Sequence, residues 1–288
     1  MTIATVTAFC PGHISGYFRR IQGDSIATTG SIGAGIVISE GVTAAASPAK
    51  AVTVSVYRRD KTGGLTTSSR TSPPVEYVLE KLGIRASVTT ECRLPIGAGF
   101  GLSAAALLAT LTAVNRTHDL GLTPREIALL AHESEVLHRT GLGDVASCQG
   151  GGRVVRSGQG IDGAIARSFD LPGPLFAVSF GPIPTPSVLG SPEQMDRVAA
   201  AFPQNPPRDA GDFFRLSRTF AEKSGLLTPE AGAVIRQCDD HGIPASMTML
   251  GNGVFAYGEG ASAILAEFGT VYTFAVADRG ARIIGDAP

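Results

Sequence analysis

The sequence contains no tryptophan and very little lysine, which occurs only at Lys50, Lys61, Lys81 and Lys223. Its four cysteines lie far apart along the chain and form no Cys-x-x-Cys pair. This spacing excludes the common zinc and dithiol redox motifs, so we expect reduced thiols in a cytoplasmic protein. The net charge of −1 gives no reason to expect nucleic acid or an anionic membrane as the main partner.

Long hydrophobic runs are also missing. No run reaches the roughly 18–20 residues that a bilayer span needs, and residues 1–9 lack the basic and apolar regions of a signal peptide. We therefore expect no membrane segment. A hydrophobic content of 43% and a charged content of 17% are typical of a globular protein. A glycine-rich break at residues 158–163 predicts a boundary between two domains, 1–160 and 161–288.

Local patterns predict a mixture of strands and helices. Strands are expected at residues 2–9, 52–58, 86–94, 153–156, 175–180 and 272–277. Helices are expected at residues 75–82, 104–114, 192–202, 210–223 and 229–239. A capping-box pattern at residues 123–126 predicts one more helix. We also expect a break at Pro11-Gly12, an exposed loop over residues 61–74, and a hairpin turn at residues 251–253.

The most informative stretch is P-I-G-A-G-F-G-L-S-A at residues 95–104, between a predicted strand and a predicted helix. Its glycines let the backbone bend and approach a ligand closely. Ser103 stands where we expect the N-cap of the helix, whose free N–H groups and dipole suit a phosphate. No Lys-Ser or Lys-Thr follows, which excludes a P-loop, and Leu102 replaces the third glycine of the dinucleotide fingerprint. A tight connection without a ligand is the alternative.

This stretch resembles the ATP-phosphate loop of the GHMP kinases, written roughly P-x-x-x-G-L/F-G-S-S-A, with one serine of the pair missing. A second segment, F-C-P-G-H-I-S-G at residues 9–16, resembles the first motif of that superfamily, with His13 in place of an arginine. The sequence of this segment is similar to that of the archaeal pantoate kinases, which phosphorylate pantoate with ATP on the route to coenzyme A. The resemblance assigns ATP-phosphate binding to Pro95, Gly97, Ala98, Gly99, Phe100, Gly101, Leu102, Ser103 and Ala104.

Two acidic positions complete the pattern, since phosphoryl transfer needs Mg²⁺ on the nucleotide and an oriented acceptor hydroxyl. By resemblance, Asp144 in T-G-L-G-D meets that hydroxyl. A helix glutamate would bind Mg²⁺ together with Ser103. Glu135 matches the sequence pattern of the family better than Glu133 does. Residues two apart on a helix point about 200° away from each other, so only one of the two glutamates should face the site. From the residues alone, either glutamate could be a solvated surface residue, and Asp144 could cap a short helix.

Pantoate carries a carboxylate, for which a planar, bidentate arginine is the natural partner. Arg156 is the first candidate and Arg153 the second. The weaker candidates for polar substrate contacts are Ser31, His132, Thr185 and His13. The alternatives are a surface charge for the arginine, a sheet bend for the glycines around Ser31, and a structural role for His132.

The resemblance implies an α+β fold with two domains: one like domain 2 of ribosomal protein S5 and a C-terminal ferredoxin-like domain. The active site would lie in the cleft between them. It also implies phosphorylation of the terminal hydroxyl of (R)-pantoate, with ATP and Mg²⁺, by a homodimer. The alternatives are a GHMP kinase for a mevalonate-like or homoserine-like acceptor, and an inactive nucleotide-binding protein with this fold.

Overall fold

The computed structural model describes residues 5–287 and confirms an α+β architecture. The strands are β1 (Thr5–Ile21), β2 (Gly30–Pro48), β3 (Thr53–Arg59), β4 (Leu65–Ser69), β5 (Ala86–Cys92), β6 (Arg153–Arg156), β7 (Ile165–Ser168), β8 (Leu175–Pro182), β9 (Ala245–Met247), β10 (Gly251–Tyr257), β11 (Tyr272–Phe274) and β12 (Arg282–Ala287). The helices are α1 (Pro73–Lys81), α2 (Leu102–Thr117), α3 (Pro124–His138), α4 (Asp144–Cys148), α5 (Thr185–Leu189), α6 (Pro192–Ala201), α7 (Ala210–Lys223), α8 (Pro229–Asp240) and α9 (Ala261–Ala266).

The strands form two sheets within the described residues. The larger runs in the order β12-β1-β2-β5-β3-β4, with β6 paired to β2 and β7 paired to β6. Among the strand pairs that residues 5–287 form in it, only β3–β5 is parallel. The smaller sheet runs in the order β11-β8-β10-β9. Because β7 and β12 follow residue 160 and yet join the larger sheet, the predicted division at that residue does not separate the two sheets.

The long strand β1 continues through the predicted break at Pro11-Gly12, so that prediction is wrong. A bulge shifts its register against β2 between Pro11 and Gly12, which absorbs a residue that cannot donate to the ladder. The strand then continues to Ile21. Residues 2–4 of the predicted first strand lie outside the described range. The bulge matters for the site, because the His13 N–H next to it bonds the Phe100 carbonyl at 3.0 Å.

Helix α2 is the central helix of the fold. It packs on β1 and β2, and its alanines and leucines are buried on nearly every side. Such all-round burial explains why its sequence is apolar rather than amphipathic. Helix α3 begins with the predicted capping box, in which the Thr123 side chain accepts from the Glu126 amide and Glu126 reaches back. This box satisfies first-turn donors of the helix that carries Glu135.

Two local predictions are corrected. The loop expected over residues 61–74 contains β4, whose side chains are almost all exposed, so no burial pattern marks it in the sequence. The hairpin turn expected at residues 251–253 lies earlier, where the Gly251 N–H bonds the Thr248 carbonyl at 3.1 Å. Asn252 and Gly253 are inside β10, at a bulge against β8. The turn is displaced because Gly251 must lie against the phosphate loop, where an added Cβ would be 2.0 Å from the Ala98 carbonyl carbon.

None of the helices in residues 5–287 combines the length and the apolar character that a membrane span requires. The four cysteines are buried as free thiols.

Candidate active site

A cavity of about 890 Å³ lies where both sheets meet the start of α2. It brings together residues that are distant in sequence. The predicted site residues that line it are Ser31, Pro95, Gly97, Gly99, Phe100, Gly101, Leu102, Ser103, Glu135, Asp144, Arg156 and Thr185. The predicted residues that do not line it are His13, Ala98, Ala104, His132, Glu133 and the second arginine candidate, Arg153.

The phosphate loop owes its shape to three glycines in the left-handed region, with φ of 76° at Gly97, 82° at Gly99 and 62° at Gly101. Side chains rarely adopt this conformation. Neighbouring strands hold the loop in place: the Ile183 N–H after β8 bonds the Gly97 carbonyl at 3.2 Å. The turn before β10 presses on it as well, since a Cβ at Gly99 would lie 2.8 Å from the Met249 carbonyl oxygen. The glycine turn before β10 therefore contacts the phosphate loop.

The start of α2 lies two residues earlier than expected. Gly101 is the N-cap, and Ser103 is in the first helical turn, so the prediction of Ser103 as the cap is wrong. The first intrahelical bond runs from the Ala105 N–H to the Gly101 carbonyl. The amides of Leu102, Ser103 and Ala104 precede it and have no intrahelical acceptor. They give this helix start the free donors and positive dipole end that bind phosphate, and the part-exposed Ser103 adds a hydroxyl.

A pair of glycine variants tests the loop. Gly101→Ala forces a side chain into φ of 62° with its Cβ 2.9 Å from the His13 carbonyl oxygen. We expect a loss of about 1–2 kcal/mol or more in stability, together with weaker ATP binding, measured by denaturation and calorimetric titration. Gly121→Ala is the matched control, since Gly121 has φ of 68° but nothing within 4 Å of an added Cβ. Equal ATP affinities for the two variants would show that the loop does not bind the nucleotide.

Asp144 is the first residue of α4, and Gly143 is the N-cap, so the carboxylate does not cap the helix. Its side chain is 22% exposed, towards the cavity, and its Oδ1 lies 2.6 Å from His13 Nδ1. Burial acts against ionisation. The hydrogen bond from His13, followed by electrostatic attraction to His13 and to Arg156, nevertheless holds the pKa of Asp144 below its usual range. The cavity thus contains an ionised carboxylate that can accept a proton.

Glu135 is fully buried on α3, and its Oε1 accepts a bond of 3.4 Å from Thr140. Its Oε2 has no hydrogen-bond partner in residues 5–287. This oxygen packs against Gly141, and a Cβ added to Gly141 would lie 2.4 Å from it. Burial and the charge of Asp144 raise the pKa of Glu135 to about 8, against the effect of the Ser103 and Thr140 hydroxyls. A buried carboxylate of this kind is stabilised by a proton or by a cation.

Glu133 points the other way, as the helical spacing predicts. Its carboxylate accepts hydrogen bonds from the Tyr77 hydroxyl at 2.7 Å and from Lys81, both on α1. The structure therefore places Glu135 in the cavity and Glu133 in a surface contact between two helices.

Arg156 and Ser31 lie side by side, because β6 pairs with β2. Arg156 Nη1 donates to the Ser31 carbonyl and to the Ser31 hydroxyl, both at 2.8 Å. Its Nε has no partner within the described part of the chain. The residue before Asp144 must be glycine here, since a Cβ at Gly143 would be 1.6 Å from Arg156 Nη1. A buried guanidinium with unused donors next to Asp144 suits the carboxylate of a small substrate.

Three other predicted contacts have different surroundings. Arg153 donates to both oxygens of Asp170, at 2.9 and 2.6 Å, so its guanidinium is occupied. His132 is buried outside the cavity, and its Nε2 lies 2.8 Å from the Thr29 carbonyl oxygen, two residues before Ser31. The structure therefore does not bring His132 to the cavity. Thr185, at the start of α5, lines the cavity as expected.

Arg167 was not a candidate from the sequence. Its guanidinium donates to the carbonyls of Ala146, Ser147 and Gly151, at distances of 2.7–3.3 Å, and so holds the end of α4. It fixes the helix that begins with Asp144. No local pattern marks Arg167, because its partners lie about twenty residues earlier in the chain.

The region around the cavity matches a known domain family. The family of GHMP kinases N terminal domains matches residues 73–152, which contain the phosphate loop, Glu135 and Asp144. The chain is also 45% identical to a pantoate kinase of Methanospirillum hungatei, over 99% of this chain and 98% of that protein. The chain belongs to the pantoate kinase family. A second member, from Thermococcus kodakarensis, is 33% identical over 87% of each chain.

A solved structure supports the same assignment of the fold. A phosphotransferase related to the coenzyme A biosynthesis pathway superposes with a TM-score of 0.80 at 25% identity, covering 97% of this chain and 98% of that one. The GHMP kinase fold implied by the sequence is thereby confirmed, and so is the narrower resemblance to the pantoate kinases within that superfamily.

Proposed function

We propose that this protein is a kinase that transfers the γ-phosphoryl group of ATP to the terminal hydroxyl of (R)-pantoate, in coenzyme A biosynthesis. The products are (R)-4-phosphopantoate and ADP. The observation that carries this proposal is the 45% identity to a pantoate kinase over almost the whole of both chains. The cavity supports it with a phosphate loop, an ionised Asp144 and the buried Arg156.

The reaction begins when Asp144 accepts the proton of the terminal hydroxyl. The hydroxyl oxygen then bonds to the γ-phosphorus, while the bond from that phosphorus to the β–γ bridging oxygen breaks and ADP leaves. The amides at the start of α2 and the Ser103 hydroxyl bind the phosphate oxygens. Because lysine is absent from the loop, backbone donors and the helix dipole supply most of the protein's electrostatic stabilisation there.

Arg156 binds the pantoate carboxylate at the other end of the substrate. Its Nη1 is oriented by Ser31, and Thr185 lines the same cavity. Pantoate is short, so anchoring the carboxylate beside Gly143 places the far hydroxyl close to Asp144. Such positioning accounts for a large share of catalysis in phosphoryl transfer.

Mg²⁺ is implied by the family, and the residues present fit it. Glu135 offers a buried, unpartnered carboxylate oxygen, and Ser103 offers a hydroxyl. Within residues 5–287 no group of three or more His, Cys, Asp and Glu side chains could hold a metal ion. Magnesium in nucleotide sites needs no such group, because phosphates and water supply most of its ligands. When bound, the ion neutralises charge on the nucleotide phosphates.

A matched pair of glutamate variants tests this metal role. Glu135→Gln removes the carboxylate that would bind the ion, so we expect the Mg²⁺ concentration for half-maximal activity to rise about tenfold or more. Glu133→Gln alters a surface contact on the same helix and should leave that concentration unchanged. A Mg²⁺ titration of kinase activity at saturating ATP distinguishes the two. Equal titration curves would exclude Glu135 as a ligand.

An acceptor screen tests the function itself. A coupled ADP assay with pantoate, mevalonate and homoserine should show turnover on pantoate far above the other two. Strong turnover on mevalonate or homoserine alone would contradict the pantoate assignment. ATP binding without turnover of any acceptor would indicate an inactive nucleotide-binding protein.

The proposal includes a cytoplasmic homodimer, as the family resemblance implies. Light scattering of the purified protein measures its oligomeric state directly, and a monomer at all concentrations would contradict this part.

A further inference from the structure

His13 occupies an enclosed position directly behind Asp144. It is completely buried on β1, and its Nδ1 lies 2.6 Å from Asp144 Oδ1. The opposite ring nitrogen, Nε2, has no hydrogen-bond partner in the described residues. The ring lies flush against Gly35 of β2, where an added Cβ would be 2.2 Å from Nε2. The His13 backbone is held as well, since its N–H bonds the Phe100 carbonyl in the phosphate loop at 3.0 Å.

This placement contradicts the expectation that His13 contacts the substrate in place of an arginine. The side chain does not line the cavity, and Asp144 stands between the two. The polar contact that the ring makes is therefore with the carboxylate that we place at the reacting hydroxyl.

The groups around the pair decide its protonation. Burial lowers the pKa of His13, with Arg156 and Arg167 acting in the same direction, while Asp144 opposes them. Asp144 itself faces His13, Arg156 and Glu135. A neutral imidazole and an ionised carboxylate leave one arrangement: Nδ1–H donates to Oδ1, and Nε2 carries the lone pair. The lack of a partner at Nε2 agrees with this tautomer.

We propose that His13 is a positioning residue: its Nδ1–H holds Oδ1 of Asp144 and leaves Oδ2 directed to the proton of the acceptor hydroxyl. The inference rests on the proposed function, in which Asp144 accepts that proton. It assigns His13 an effect on the rate of transfer, with no direct effect on the binding of ATP or of the acceptor. It also explains why the ring is locked by β2 and the phosphate loop, because a mobile donor would not orient the carboxylate.

The matched variants are His13→Asn and His13→Leu, which have side chains of nearly the same branched shape. Asparagine can present an amide N–H close to the position of Nδ1, whereas leucine has no donor. We expect kcat of the leucine variant to fall about 10–100-fold, because a carboxylate that is no longer oriented loses part of the rate contribution of a general base. The asparagine variant should stay within about threefold of wild type, since a neutral donor is kept. The KM values for ATP and acceptor should change little in either.

A second readout does not depend on the acceptor. Loss of the hydrogen bond should raise the pKa of Asp144, so the acidic limb of the kcat profile should move to higher pH in the leucine variant. The same shift should appear in the titration of Asp144 by carbon-13 NMR of labelled aspartate, with the signal assigned from Asp144→Asn. In the His13→Asn variant, the pKa of Asp144 should stay close to its wild-type value.

The possible outcomes distinguish the positioning role of His13 from the proposed pantoate kinase function. An unchanged Asp144 titration in a folded leucine variant overturns the positioning role, even if the enzyme turns over another acceptor. A rise in acceptor KM with normal kcat also overturns it, because His13 would then contact the substrate. If leucine prevents folding, His13→Gln replaces it: its amide lies beyond the Nδ1 position, so it should lose rate where asparagine does not. Lack of pantoate turnover by wild type contradicts the proposed function alone.

Discussion

Asp144→Asn is expected to lower kcat for pantoate phosphorylation by about 10²–10⁴-fold, the usual contribution of a general base. The amide keeps the shape of the side chain and can still accept from His13 Nδ1, so the fold around α4 should persist. It cannot accept the hydroxyl proton. ATP affinity should be close to that of wild type, because the proposed nucleotide contacts come from the start of α2. Steady-state kinetics and calorimetric titration with a non-hydrolysable ATP analogue measure the two effects.

The control for this variant is Asp162→Asn. Asp162 forms an exposed ion pair with Arg125 and lies outside the cavity. Exposed pairs contribute little to stability, so kcat of this variant should match wild type. A near-normal kcat for Asp144→Asn would show that the acceptor proton goes elsewhere, and the proposed reaction would lose its base.

Arg156→Ala should raise the KM for pantoate and lower kcat/KM by about 10–150-fold. This range corresponds to the roughly 1.5–3 kcal/mol that hydrogen bonds to a charged group contribute. The KM for ATP should change much less, since Arg156 is proposed to bind the acceptor rather than the nucleotide. Arg156→Lys keeps the charge but loses the planar pair of donors, so it should restore only part of the affinity.

Arg153→Ala is the matched control on the same strand. Arg153 is as buried as Arg156, but its guanidinium is bound to Asp170. Its loss should reduce stability and leave the KM for pantoate near the wild-type value. Equal increases in the KM for pantoate and ATP in Arg156→Ala would contradict its role as the carboxylate partner.

The phosphate loop could be predicted because its signal is local. A run of glycines between a strand and a helix fixes the backbone whatever the rest of the chain does. The error at Ser103 concerned where α2 begins. Gly101, with a left-handed φ of 62°, is the N-cap in place of a residue with a capping side chain. The capping box at Thr123 and Glu126 was predictable for the same reason, since both partners lie within four residues.

The orientation of the acidic residues needed the tertiary structure. Helical spacing shows that Glu133 and Glu135 diverge, but not which of them faces the cavity. That is decided by α1, which supplies Tyr77 and Lys81 to Glu133. The role of His13 depends on Asp144, a residue 131 positions away.

Two of the strands that were not predicted, β4 and β12, were missed for a different reason. β4 lies at the edge of the larger sheet and its residues are mostly exposed, so they show no alternation of buried and exposed positions. The exposed Ile283 and Ile284 of β12 likewise give no alternating pattern, although β12 pairs with β1 at the opposite edge. Partner choice in such strands is a property of the whole sheet.

The central claim is that the start of α2 holds the nucleotide phosphates while Asp144 and Arg156 hold the acceptor. A crystal structure with pantoate, Mg²⁺ and a non-hydrolysable ATP analogue tests it most directly. We predict the γ-phosphate at the amides of residues 102–104, and the terminal hydroxyl of pantoate within about 2.6–3.2 Å of an Asp144 oxygen. Phosphates bound away from this helix start, or a pantoate hydroxyl facing away from Asp144, would contradict the account.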